Sequence, residues 1–247
     1  MIRLPALREL RSLFATPSTW FVLAALQFIF AWFFLARLDA FLELQPQLAQ
    51  LANPPGVTAM VAAPMFNTVA LLMMVMVPVF TMRLIAEERR NQTFALLLSA
   101  PLSSLHIALG KFMGLLIFLI VLMVSVPLML YTLALGTNID HGLMLSNILG
   151  LLLLVSSYVA LGLYISSLTA QPIIAAIGAL AVLFGLWLAD IGAAAEDSPW
   201  HLFSPLHHFQ NFNNGLLDSS DAAFFILFTA VFLLLTMKRL HNNRVYG

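Results

Sequence analysis

From Gly142 to Ala189 the chain carries no Asp, Glu, Lys or Arg. About 20 helical residues, each rising about 1.5 Å, cross a hydrocarbon core of about 30 Å. The uncharged stretch is far longer than one such crossing. It breaks at Ser166-Ser167-Leu168-Thr169-Ala170-Gln171-Pro172, where polar residues and a proline mark a tight turn. The stretch therefore reads as two transmembrane helices in succession, an architecture that a bilayer allows because each helix satisfies its own backbone.

The same criterion finds four more spans. The six lie at about 18–36, 65–82, 111–135, 143–166, 172–190 and 222–238, the last being the shortest. Composition agrees. Of 247 residues 62% are apolar and 9% charged, with mean hydropathy +0.97. Soluble domains run at roughly 45–50% apolar and 25% charged. So little charge cannot cover a water-facing surface, which excludes a disordered chain, a nucleic-acid binder and an ordinary cytosolic enzyme. The expected fold class is all-α integral membrane. Cysteine is absent, so disulfides, zinc–thiolate sites and cysteine nucleophiles are excluded.

The eleven basic and eleven acidic residues balance, but they are not mixed. Arg3, Arg8 and Arg11 precede span one; Arg83, Arg89, Arg90 and Lys111 fall between spans two and three; Lys238, Arg239 and Arg244 follow span six. All of these lie on one side, and only Arg37 lies on the other. The positive-inside bias makes that basic side cytoplasmic, with both termini inside. The opposite loops hold Asp39, Glu43, Asp140, Asp190, Glu196, Asp197, Asp218 and Asp221. The N-terminus lacks a clear small-residue cleavage site and is expected to be retained.

Three segments between the spans carry information. Residues 5–14 form an amphipathic helix, with Leu7, Leu10, Leu13 and Phe14 on one arc and Arg8, Glu9, Arg11 and Ser12 on the other. In the loop 83–111, the charged run Glu87-Glu88-Arg89-Arg90 precedes an apolar helical turn, Phe94 to Leu98, which Pro101 stops. Ser103 can cap the next helix, which continues through Lys111. The expectation is a short helix crosswise to the spans. The loop 190–221 is aromatic and poor in charge, with Pro205 and Gly215 dividing it into short helices and Asp218 to Asp221 capping the last span.

Several chemistries are missing. No G-x-x-x-x-G-K-[ST] phosphate loop occurs: the residue that would supply its first glycine before Gly110-Lys111 is Leu105. No G-x-S-x-G or H-E-x-x-H is present. The spans hold almost no ionisable residue away from their ends, unlike ion-coupled transporters. The six histidines fall in expected loops, and His201, His207 and His208 share one with Glu196 and Asp197. A metal site there is weighed against a structural or interfacial role, and the structural role is favoured; no metal or catalytic residue is assigned. Ser156, Ser157, Tyr158 and Tyr164 read as packing groups of span four.

The run Pro78-Val-Phe-Thr-Met-Arg83-Leu-Ile-Ala-Glu87-Glu88-Arg-Arg-Asn-Gln-Thr93-Phe-Ala-Leu96-Leu-Leu-Ser-Ala-Pro101-Leu-Ser103, with Leu109-Gly110-Lys111-Phe112, resembles the ABC-2 type exporter permeases. Arg8-Glu-Leu-Arg-Ser-Leu-Phe-Ala-Thr-Pro17 and Phe203-Ser-Pro-Leu-His-His-Phe209 with Gly215-Leu-Leu-Asp218 agree. The resemblance covers nearly the whole chain. It is strongest to the branch of the gliding-motility-associated permeases and the permease of nitrous-oxide-reductase maturation. The family often has Gly where this chain has Gln92, Glu where it has Ala95, and a basic residue where it has Asn214.

The resemblance implies one permease domain over 1–247 that pairs with a second copy and with two ATPase subunits. These subunits bind the ATP and magnesium, and this chain holds no cofactor. It implies an inner-membrane location and allows an auxiliary periplasmic or membrane-anchored subunit. Arg8, Glu9 and Arg11 would belong to the connecting helix. Glu87, Glu88, Arg89, Arg90, Thr93, Leu96 and Leu97 would form the ATPase-coupling helix, roughly 87–100. Phe203, Pro205, His208, Phe209 and Gly215 would form re-entrant helices at the exit. The alternatives are a membrane scaffold or assembly factor acting on a protein partner outside, and an ion-coupled secondary transporter.

Overall fold

The computed structural model describes residues 3–48, 50, 55–92, 103–192 and 201–246. Among them there is no strand. The helices are α1 (Arg3–Ala15), α2 (Pro17–Leu48), α3 (Ala63–Thr81), α4 (Ser104–Met123), α5 (Ser125–Tyr131), α6 (His141–Leu168), α7 (Pro172–Ile191), α8 (Pro205–Asn213) and α9 (Ser219–Tyr246). Six continuous helical segments are long and apolar enough to cross a membrane: Pro17–Gln47, Thr58–Arg90, Ser104–Leu135, His141–Leu168, Pro172–Ile191 and Ser219–Asn243.

Several helices outrun the spans expected from hydropathy. α2 continues through Arg37, Asp39 and Glu43 to Leu48, and α9 continues through Lys238 and Arg239 to Tyr246. The expected span six, the shortest by hydropathy, thus belongs to one of the longer helices. The physical reason is that a charged residue ends the apolar run without ending the helix. Backbone bonding propagates into water at little cost once the helix is nucleated. The break between α6 and α7 falls at Thr169–Gln171, with Pro172 at the start of α7.

The core is built around α3 and α6. Tyr158, Phe66, Met65, Met73, Leu154 and Val155 are fully enclosed. α6 packs against α3, α4, α7, α8 and α9, while α2 touches the bundle along little of its length. Trp20, Phe21, Phe28 and Trp32 of α2 accordingly lie exposed. Ser156 and Ser157 bond back to the carbonyls of Leu153 and Leu154, at 2.7 and 2.6 Å, and so serve their own helix.

Two irregularities have local causes. Pro127 lacks an amide and presses its ring on the preceding turn, so the third span breaks at Val124 between α4 and α5. The Leu122 carbonyl at that break accepts from Gln27 Nε2 of α2 at 3.1 Å. The second span is wound as π-helix at both ends, over Thr58–Ala62 and Arg83–Glu87. At the latter, the buried Ser166 hydroxyl of α6 accepts from the amides of Ile85 (3.2 Å) and Ala86 (3.1 Å) and donates to the Met82 carbonyl (3.2 Å). A neighbouring serine thus answers polar groups at a widened turn, as an apolar surround requires.

Replacing Ser166 by Ala leaves two buried amides without this acceptor. The expected loss is about 1–3 kcal/mol, read as a lower thermal midpoint of the detergent-solubilised protein, while Ser166→Thr retains most of the stability.

Candidate functional site: an ionic junction at the basic end

α1 forms because Leu10, Leu13 and Phe14 fall on one helical arc and pack on the bundle, and it ends at Thr16-Pro17. Its apolar arc is narrower than the pattern suggests, since Leu7 is exposed. Phe14 stacks edge-on against Phe118 of α4 at 5.2 Å, and its carbonyl accepts from Trp20 Nε1 at 2.8 Å. α1 lies so close on α4 that a Cβ on Gly114 would sit 2.8 Å from the Glu9 Cβ and 3.1 Å from the Ala6 carbonyl oxygen.

This close approach brings Glu9 inward, away from the polar arc assigned to it. Its carboxylate binds the ammonium of Lys111. Lys111 is only 3% exposed and also donates to Glu88 Oε1 at 2.8 Å. One buried cation therefore joins α1, the start of the third span and the end of the second. A buried ammonium is costly unless paired. Two carboxylates that keep partial access to water supply the pairing.

Glu87 to Arg90 continue the second span as helix, with Glu87 and Arg90 exposed. The helix ends at Asn91, and Gln92 takes a left-handed conformation with φ +57°. The expected crosswise helix over 87–100 therefore does not include Glu87 to Arg90. They precede the turn, because the π segment and its Ser166 contacts hold the chain in line with span two. Thr93, Leu96 and Leu97, together with Phe94 to Pro101, lie outside the described residues. Ser103 caps α4, its hydroxyl accepting from the His106 amide. Arg8 and Arg11 are exposed on α1.

At the opposite end, α8 starts at Pro205, and the Ser204 side chain accepts from the His207 amide at 3.3 Å. Leu206, Phe209 and Phe212 are buried. Ser146 of α6 donates to the Phe212 carbonyl at 2.7 Å. Gly215 adopts φ +82° after Asn214, and the Leu216 amide returns to the Asn211 carbonyl at 2.9 Å, closing the helix as glycine at a left-handed cap does. Phe203 is exposed, whereas Pro205, His208 and Phe209 are buried.

His208 Nδ1 lies 2.5 Å from Asp221 Oδ1, its Nε2 is 3.2 Å from the Leu202 carbonyl, and its ring stacks on Phe224 at 4.0 Å. Asn211 donates to Asp221 as well, at 2.9 Å. Asp218 caps α9: its carboxylate accepts from the Ser220 amide at 3.0 Å, which holds its carboxyl below the usual range. The histidines are not loop residues. His106 and His141 open helices, His207 and His208 lie on α8, and His241 is on α9. Sequence reasoning missed Lys111, Ser166 and Asp190 as contact partners, although Lys111 marks the expected start of span three and Asp190 the expected end of span five.

The family model for the ABC-2 family transporter protein matches residues 6–243, so the chain belongs to that family of membrane transporters. No curated protein matches it. The six crossings and the family together define a multi-pass membrane protein of the permease type.

Two outcomes follow from the junction. Lys111→Ala leaves two carboxylates facing one another and is expected to destabilise by about 2–3 kcal/mol, less than for a fully buried pair because both acids retain water. Glu9→Gln should cost less, and thermal melts of the two purified variants compare them. Gln92→Gly removes the left-handed strain and should raise stability by about 1 kcal/mol in the same assay.

Proposed function

We propose that this chain is the permease subunit of an ATP-driven exporter, working with a separate ATPase on the basic, cytoplasmic face. The observation that supports this most is the Glu9–Lys111–Glu88 junction. It ties the amphipathic helix α1 to two spans, immediately before the segment 93–102 where an ATPase would press. A displacement of that segment reaches α3 and α4 together, because one buried ammonium holds both. The ATP and magnesium belong to the partner, whose two copies would serve two copies of this chain. The exposed aromatic side of α2 supports a second copy or lipid as its neighbour.

On this reading Glu87 and Arg90 are the exposed charges that meet the ATPase, while Glu88 and Glu9 transmit. Thr93, Leu96 and Leu97 complete the contact. Arg8 and Arg11 hold the connecting helix at the headgroups. α8, with Pro205, His208, Phe209 and Gly215, is the re-entrant element that closes the exit. Both termini are cytoplasmic and the membrane is a bacterial inner membrane. The sequence run around Glu87 supports the gliding-motility and nitrous-oxide-reductase-maturation branch, in which a further periplasmic or membrane-anchored subunit joins and the output is mechanical work as well as export.

The test is a mild-detergent pull-down of the tagged chain from its native host, with ATP hydrolysis assayed on the eluate. A co-eluting soluble ATPase is expected, and a third subunit supports the branch. A well-folded chain eluting free of ATPase overturns the reading. In the reconstituted complex, the pair Glu87→Ala and Glu88→Ala is expected to abolish ATPase assembly or coupled activity; both remaining intact overturns the role given to these residues.

A further inference from the structure

We infer that Asp190, His201 and His207 form a binding site for one divalent transition-metal ion of the zinc class, which clamps α8 to the end of α7. The inference does not depend on the coupling described above. The three residues come from three segments: the last turn of α7, the short 3-10 turn His201–Phe203, and the first turn of α8. One donor atom from each lies within 4.8 Å of the others. The Asp190 carboxylate oxygen is 2.6 Å from His201 Nδ1 and 3.4 Å from His207 Nδ1, and the two imidazole rings are 4.8 Å apart.

The donor set selects the ion. Two imidazole nitrogens and one carboxylate oxygen suit zinc and its neighbours, whereas calcium and magnesium require oxygen ligands. Ligands about 2.0–2.2 Å from a tetrahedral ion stand roughly 3.3 Å from one another. The Asp190–His207 separation already has that value. His201 has only to exchange its hydrogen bond to Asp190 for the ion. The Asp190 and His201 side chains are 11% and 19% accessible and His207 is 41% accessible, so an ion enters from the His207 side and keeps a position for water.

The surroundings hold the ligands in place. The backbone of His207 is fixed by the Ser204 cap, and its ring meets His208 edge-on at 6.1 Å. His208 is in turn held by Asp221 and Phe224. Such outer contacts orient metal-binding imidazoles. Apart from this end, α7 buries only Ala175, Ala179 and Leu183, so an ion at Asp190 would add a strong link where packing is sparse.

The test uses the full chain in detergent with any polyhistidine tag removed, stripped with chelator and titrated with Zn²⁺. Retained zinc after desalting, and the thermal midpoint, are both read. About one ion per chain is expected, with a chelator-reversible rise in midpoint. Asp190→Asn and His207→Ala should weaken binding roughly tenfold or more and lose the thermal rise. His207→Cys, which keeps a zinc ligand, should retain both, and circular dichroism confirms that each variant is folded. A wild-type chain that holds no zinc, or zinc retention unchanged by Asp190→Asn and His207→Ala, overturns the site.

Discussion

A hydrocarbon interior offers a backbone amide nothing to bond to, and the rest of this structure follows from that constraint. It makes every crossing helical. It also governs the exceptions. Where the second span widens into a π turn at Arg83–Glu87, Ser166 reaches across from α6 to the Ile85 and Ala86 amides. Near the break in the third span, the Leu122 carbonyl accepts from Gln27 of α2 and from Ser125 of its own span. At these two places a departure from regular winding lies beside a polar side chain on another helix. Those side chains add specific links between helices to the packing of the apolar core.

The two ends of the bundle solve a second problem, that of holding short amphipathic elements against long crossings. At the basic end the solution is ionic: Lys111, nearly inaccessible, binds Glu9 of α1 and Glu88 beyond α3. At the opposite end it is mixed. Phe209 and Phe212 bury an apolar face, while His208, Asn211 and Asp221 tie α8 to α9. The first joins elements distant in sequence through one buried ammonium; the second joins α8 to α9, its neighbour along the chain, and through Ser146 to α6. Either short element is thereby linked to more than one span.

The periodicity of residues 5–14 announces α1 but puts Glu9 on the polar arc, whereas in the structure Glu9 faces Lys111. A helical wheel knows only angles; it has no access to a cation about two turns into another helix. The charged run 87–90 read as part of a crosswise helix, but it continues span two because a serine in span four stabilises the widened turn before it. Gln92, which stands where the resemblance would put glycine, takes a left-handed backbone with φ +57°. His201 and His207 are visible as a cluster in the sequence, which sets Glu196 and Asp197 beside them; in the structure their acidic neighbour is Asp190, at the end of α7.

By itself the sequence determined the class of solvent, the number of crossings and the family. These depend on composition and on local runs, which a single helix expresses without help from its neighbours. Tertiary structure alone decided which charges meet. Lys111 finds Glu9 and Glu88, and Asp190 finds His201 and His207, only when separate helices are packed side by side. Pairing of charges is a property of distance in space, and in a bundle of antiparallel helices that distance bears no fixed relation to separation along the chain.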